Sequence, residues 1–282
     1  MKTTPTRRAS FAFGLACLIA LCGCSRASEA PAFPAPGVTL LDCVDNAAHR
    51  TPSGTLLNNT WNKRSAGAGP WRQCLQSRQR EGRTEYGWSW NWPSRDGIYA
   101  YPEIHVGASP WSDKPSNDPR FPRRIADTRT LTIDFDTESQ FQGKKNLAVE
   151  FWFTDAALVP GQFNPGAIKA ELMIWSEASN GLIPEKDKPT ATVEIDGAKW
   201  VVYVKKNWGD VSGGSNAKWT FITYHALAPS PSARYDARKF FQDAIDRGLI
   251  AERNFITGVE LGNELISGSG TTWIKRFEVS VQ

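Results

Sequence analysis

Between residues 130 and 204 the chain repeats a two-residue alternation of apolar and polar side chains, and this period restricts its fold more than any other feature. In "TLTIDFD" (130–136), Leu131, Ile133 and Phe135 alternate with Thr132, Asp134 and Asp136. "NLAVEFWF" (146–153) and "KAELMIW" (169–175) follow, and "ATVEIDGAKWVVYV" (191–204) reads as a hairpin turning at Asp196-Gly197. "KWTFITYHAL" (218–227) and "TTWIKRFEVSVQ" (271–282) add further strands. A period of two puts alternate side chains on opposite faces of a sheet. One helix is expected, over 236–247, where Phe240, Phe241, Ala244 and Ile245 share a face and Gly248 sits at a C-terminal cap. Many strands and one helix predict an all-β jelly-roll sandwich of two antiparallel sheets with a concave cleft. Twelve Trp, with 23 Gly and 18 Pro, fit β structure with many turns and flat surfaces for stacking.

The N-terminus reads as a targeting segment. Lys2, Arg7 and Arg8 precede an apolar run from Ala9 to Leu21, too short for a permanent span, and the run ends in "LCGCS". Leu21-Cys22-Gly23-Cys24 resembles a bacterial lipobox, with Cys24 as the lipidated residue. Residues 1–23 are then a lipoprotein signal peptide, 24–38 an Ala/Pro-rich tether and 39–282 one domain. The expected location is the outer membrane or cell surface of a bacterium, with secretion after cleavage near Ala30 as the alternative. Cys17 and Cys22 leave with the signal and Cys24 takes lipid, so Cys43 and Cys74 remain as a pair expected to form a disulfide. Removing the signal deletes three positive charges and lowers the net charge from +4 to +1. Nothing here calls for nucleic acid or an acidic polymer. Membrane contact is expected through the lipid alone, and the chain is expected to be a monomer.

The apolar run at 170–175 is interrupted by a carboxylate. Strand parity places Ala170, Leu172 and Ile174 on one side and Glu171, Met173 and Trp175 on the other. The earlier strand repeats this, with Leu147, Val149, Phe151 and Phe153 opposite Ala148, Glu150 and Trp152. If the two strands pair, Glu150 and Glu171 share a concave sheet with Trp rings; a solvated outer face is the bland alternative. In "ITGVELGNELISGSG" (256–270), Glu260, Gly262 and Glu264 share a face, with about 13 Å between the two glutamates along an extended strand. Two carboxylates on one aromatic-lined cleft suit glycosidic bond cleavage, one attacking and one protonating the leaving oxygen. Parity leaves Glu260 and Glu264 as equal candidates for the second.

"ELMIW" at 171–175 resembles the nucleophile strand of glycoside hydrolase family 12, the jelly-roll β-1,4-glucanases and xyloglucanases. "VELGNELISGSG" is similar to that family's acid/base strand, and this resemblance selects Glu264 over Glu260. "LLNNTWNK" (56–63) resembles the family's early Asn-Asn-x-Trp segment, which carries sugar binding to Asn59 and Trp61. "RQCL" fits the family's early disulfide, and "GWSWNW" and "AYPEI" stand in family-like order. The resemblance spans roughly residue 40 to the C-terminus. It implies a retaining endo-β-1,4-glucanase with Glu171 as nucleophile and Glu264 as acid/base, acting on a β-glucan. Met173, Trp175 and Trp152 are expected to line the substrate site. Glu150 stands where the family commonly has a supporting Asp, and the 154–168 segment is long for the family.

Other chemistries lack their signatures. His49, His105 and His225 have no metal-ligand spacing, and there is no G-x-S-x-G elbow. "SGSGTT" (267–272) lacks the Lys of a phosphate loop. No metal or cofactor is expected. The alternatives are a non-catalytic surface glucan-binding protein and a xylanase of the related jelly-roll family.

Overall fold

A computed structural model describes residues 1, 33–94, 97–159, 162–183 and 188–282. The expected signal peptide beyond Met1, Cys24 and most of the expected tether lie outside the described residues. Pro36–Gln282 form one compact unit, and it is a β-jelly-roll.

One sheet runs in the order β1 (Val38–Asp42), β4 (Arg72–Arg80), β5 (Arg83–Trp92), β16 (Leu265–Val281), the first part of β8 (Leu131–Thr154) and β13 (Ser232–Asp236). The other runs β2 (Ala48–Thr51), β3 (Gly54–Leu57), β6 (Glu103–Gly107), β15 (Gly258–Gly262), the second part of β8, β9 (Ile168–Ala178), β12 (Lys218–Ala226), β11 (Ala198–Gly209) and β10 (Ala191–Ile195). Two short strands, β7 (Arg123–Arg124) and β14 (Phe255–Ile256), pair beside β8. The sheets are antiparallel as expected, with one addition: β9 and β12 pair in parallel.

The segments 130–136 and 146–153, which read as separate strands, are parts of the single strand β8. Its first part pairs with β16 and its second with β9 and β15, so it passes from one sheet to the other near Asn146. Just before the crossing, Gly143 (φ +107°) lies opposite Gly268 (φ +82°). A Cβ on Gly143 would stand 2.2 Å from the Ser267 carbonyl oxygen, so the two backbones meet only because both residues lack one.

Beyond the crossing the alternation has its predicted consequence. Leu147, Val149, Phe151 and Phe153 join Ala170, Leu172 and Ile174 in the core between the layers. Met173, Trp175 and Ala148 fall in a second cluster, with Tyr101 and Phe221, on the concave face. The helix α1 (Ala237–Asp246) starts at Asp236, whose carboxylate accepts the Arg238 N–H at 3.0 Å, a cap worth about 1 kcal/mol. It closes the core by setting Phe241 edge-on against Phe151 and Phe153, and Phe240 against Tyr224 and Trp200. Burying each ring contributes about 1.5–3 kcal/mol. The hairpin turns at Asp196-Gly197, both at positive φ, as the dipeptide predicts. Cys43 and Cys74 form a disulfide.

Candidate active site

Register assembles the concave face. Across β8 and β9, Trp152 stands opposite Glu171, and Glu150 opposite Met173. Across β8 and β15, Glu150 stands opposite Glu260, and on the next strand Glu260 faces His105 while Gly262 faces Glu103. Four glutamates therefore lie on a diagonal across β6, β15, β8 and β9. Glu264 follows β15 directly and joins them at the point where β8 changes sheets.

Each expected catalytic carboxylate has its own hydrogen-bond setting. Glu171 is 8 % exposed, and its Oε2 accepts the Trp219 indole N–H at 2.7 Å. Glu150 is also within hydrogen-bonding reach of it. Burial pushes the Glu171 carboxyl up to about 8, against the pull of the Trp219 donor, while the Glu264 charge adds to the rise. Glu264 is gripped by one residue: Asn146 donates its amide to Oε2, and its Oδ1 accepts the Glu264 backbone N–H at 2.7 Å. Burial raises Glu264 to about 7, opposed by that amide. Asn146 is fixed in turn by Asn263, which donates to its carbonyl at 2.6 Å and accepts from Trp88 and Thr272. Both asparagines are fully buried.

The remaining carboxylates sit deeper. Trp152 donates to Glu260 Oε2 at 3.3 Å. Glu103 and Glu260 are within hydrogen-bonding reach of each other, with Asn59 also contacting Glu103. Burial, then the charges of Glu171, Glu260, Glu103 and Glu264, drive Glu150 well above the carboxylate range; burial and Glu260 do the same to Glu103. Oxygens of Glu103, Glu150 and Glu260 converge within 4.8 Å, close enough to be bridged by protons or by a cation. His105 brings no positive charge, because burial lowers it to about 4.

The expected sugar-contacting residues divide into two groups. Trp61 is 36 % exposed at the rim, and its backbone N–H is held by the Asn59 side chain at 3.2 Å. Met173, Trp152 and Trp175 form the floor and are buried, Met173 to 1 % exposure. Several neighbours were not singled out as site residues from the sequence: Trp219, Asn146, Glu103, Tyr101 and Trp111. Trp111 lies in a loop and packs edge-on against Trp152 and Trp219. The long 154–168 segment brings Phe163, 54 % exposed, against the same ring. Only Glu103 had a findable cue, because it occupies the same strand face as His105 in "YPEIHVG".

A jelly-roll whose concave face gathers buried glutamates and tryptophans has the architecture of a polysaccharide-cleaving enzyme. The sequence profile of Glycosyl hydrolase family 12 matches residues 53–282. Endoglucanase S of Pectobacterium parmentieri is 24% identical over 229 residues, covering 80% of this chain and 81% of that protein. Among solved structures, the native family 12 xyloglucanase from Bacillus licheniformis superposes with a TM-score of 0.72 at 23% identity, over 86% of this chain and 99% of that one. An endoglucanase from Rhodothermus marinus gives 0.66 at 26% identity, over 86% and 98%. The chain belongs to glycoside hydrolase family 12. It is a glycoside hydrolase of the endoglucanase and xyloglucanase kind, and its substrate is a glucan.

Proposed function

We propose that the protein is an endo-acting, retaining β-1,4-glucanase in which Glu171 is the nucleophile and Glu264 the acid/base. The observation that carries this assignment is the unequal provision of hydrogen-bond donors. Glu171 has the Trp219 N–H and the Glu150 carboxyl, whereas Glu264 has one side-chain donor, Asn146. Burial raises both carboxyls, Glu171 to about 8 and Glu264 to about 7, an order opposite to this assignment. For two buried carboxyls so close together the hydrogen-bond geometry is the better guide. Two donors on Glu171 against one on Glu264 favour the negative charge on Glu171 and the proton on Glu264.

Glu171 then attacks the anomeric carbon as the bond to the leaving oxygen breaks, and Glu264 passes its proton to that oxygen. In the second step Glu264 takes a proton from water as the water attacks the same carbon. The glycosyl ester bond breaks, Glu171 is released as a carboxylate, and configuration is retained. Glu150, protonated, supports Glu171 by donating to it. Trp61 offers a stacking face on the rim, held in place by the Asn59 side chain, which suits successive sugars of a long chain.

Reducing-sugar release from barley β-glucan, xyloglucan and carboxymethylcellulose tests the activity. Release from at least one, as a ladder of oligosaccharides, is expected; binding without release would make the protein a glucan-binding module, and release from xylan alone a xylanase. The Trp219 donor has its own test. Trp219→Phe keeps the ring that packs on Trp111 and Trp152 but removes a hydrogen bond to a charged group. A kcat lowered roughly 10- to 100-fold, with KM little changed, is expected. An unchanged kcat would show that this bond does not serve the reacting carboxylate.

A further inference from the structure

Two glutamates on the cleft floor have no part in the two-step reaction, and one of them is nearly inaccessible. Glu103 is 2 % exposed; Asn59 contacts its carboxyl, but its Oε2 is offered no donor by any N–H or O–H among the described residues. It lies within hydrogen-bonding reach of Glu260, which stands opposite Glu150 on the neighbouring strand. Two ionised carboxylates cannot share such a site, because each loses its hydration and repels the other. One proton between them resolves both costs and leaves the pair with a single negative charge beside Glu150.

We infer that Glu103 and Glu260, joined by one shared proton, are positioning residues that keep Glu150 protonated and so keep it a hydrogen-bond donor to Glu171. This rests on the nucleophile assignment above and adds to it a second carboxyl pair behind the reacting one. The groups facing Glu150 are Glu171 from β9, Glu260 from β15, Glu103 with neutral His105 from β6, Glu264 at the sheet crossing, and the Tyr101 hydroxyl, which donates to the Ala148 carbonyl at 2.9 Å. Their burial and mutual charges all push Glu150 upward, in the direction the geometry requires.

The two members of the pair make different predictions. Glu260→Gln removes the shared negative charge, since the deeply buried Glu103 then keeps its own proton. Glu150 and Glu171 ionise more easily, and the acidic limb of the kcat/KM–pH profile moves down by about one pH unit. Glu103→Gln leaves Glu260 ionised, the charge count unchanged and the limb within roughly 0.3 unit of wild type. A purely structural role would lower kcat/KM at every pH and move neither limb, which would overturn the inference. A cation site would overturn it too, seen as a rise in wild-type Tm with Ca²⁺, Mg²⁺ or Mn²⁺ that chelator reverses and Glu260→Gln abolishes.

Should Glu260→Gln fail to fold, glutamate-carboxyl ¹³C NMR of the wild type gives an independent reading. Carboxyl groups still protonated at pH 7, with one fewer in Glu103→Gln, are expected; a fully ionised set at pH 7 would reject the shared proton. If Glu171→Gln and Glu264→Gln are inactive while the limb stays fixed in Glu260→Gln, only this inference fails. Activity in those first two variants would instead remove the mechanism it rests on.

Discussion

Replacing Glu171 or Glu264 by Gln is expected to lower turnover of a natural glucan by about 10³-fold or more, the largest effect any single substitution should have here. Gln is nearly isosteric, and both carboxylates are buried with pKa values raised by that burial. The folded protein therefore gains nothing from their charge, and Tm should not fall in either variant at neutral pH. A substrate with a 2,4-dinitrophenyl leaving group separates the roles. That group departs without a proton, so Glu264→Gln should retain its first step, while Glu171→Gln loses it whatever the leaving group. Glucan binding should survive in both. Turnover like wild type in either variant would remove that residue from the mechanism.

The second large effect is on stability. The Cys43–Cys74 disulfide joins the end of β1 to β4 across a sequence separation of 31 residues. Closing a loop of that length restrains the unfolded chain by about 3–4 kcal/mol. For a domain of this size, Cys43→Ala with Cys74→Ala should lower Tm by roughly 8–15 °C. The loop enclosed by the bridge contains Asn59 and Trp61, and it is tied further by the Asn58 amide, which donates to the carbonyls of Val44 and Gln73 at 2.9 and 3.2 Å. KM for long oligosaccharides should therefore rise more than kcat falls. A Tm within about 2 °C of wild type, by scanning calorimetry, would show that the Asn58 ties alone hold this rim.

Much of the cleft was legible because strand parity is a local rule. The segregation of Leu147, Val149, Phe151 and Phe153 from Glu150 and Trp152 follows from the backbone repeat, whatever the partners. The same rule placed Glu171 with Met173 and Trp175, and capping chemistry located the helix to within one residue at either end. Pairing is a different matter. "ESQFQGKK" (138–145) looks like a break between two strands, yet β8 continues through it, because β16 satisfies its backbone hydrogen bonds whatever its side chains. The parallel pairing of β9 with β12 joins segments far apart in sequence, and no local pattern announces it. Trp219 and Asn146 reach Glu171 and Glu264 through those two events, so neither was visible beforehand. Glu260 was legible as a candidate, but its place beside Glu103 depends on the register of β15 with β6.

Trapping the glycosyl-enzyme tests the central claim most directly. A 2-deoxy-2-fluoro cellobiosyl fluoride or dinitrophenyl glycoside forms the ester quickly and loses it slowly, so peptide mass spectrometry can locate the labelled residue. The label is predicted on the peptide carrying "ELMIW", at Glu171, with activity lost as it accumulates. A label on Glu150, Glu260 or Glu264, or inactivation with no covalent adduct, would contradict the account.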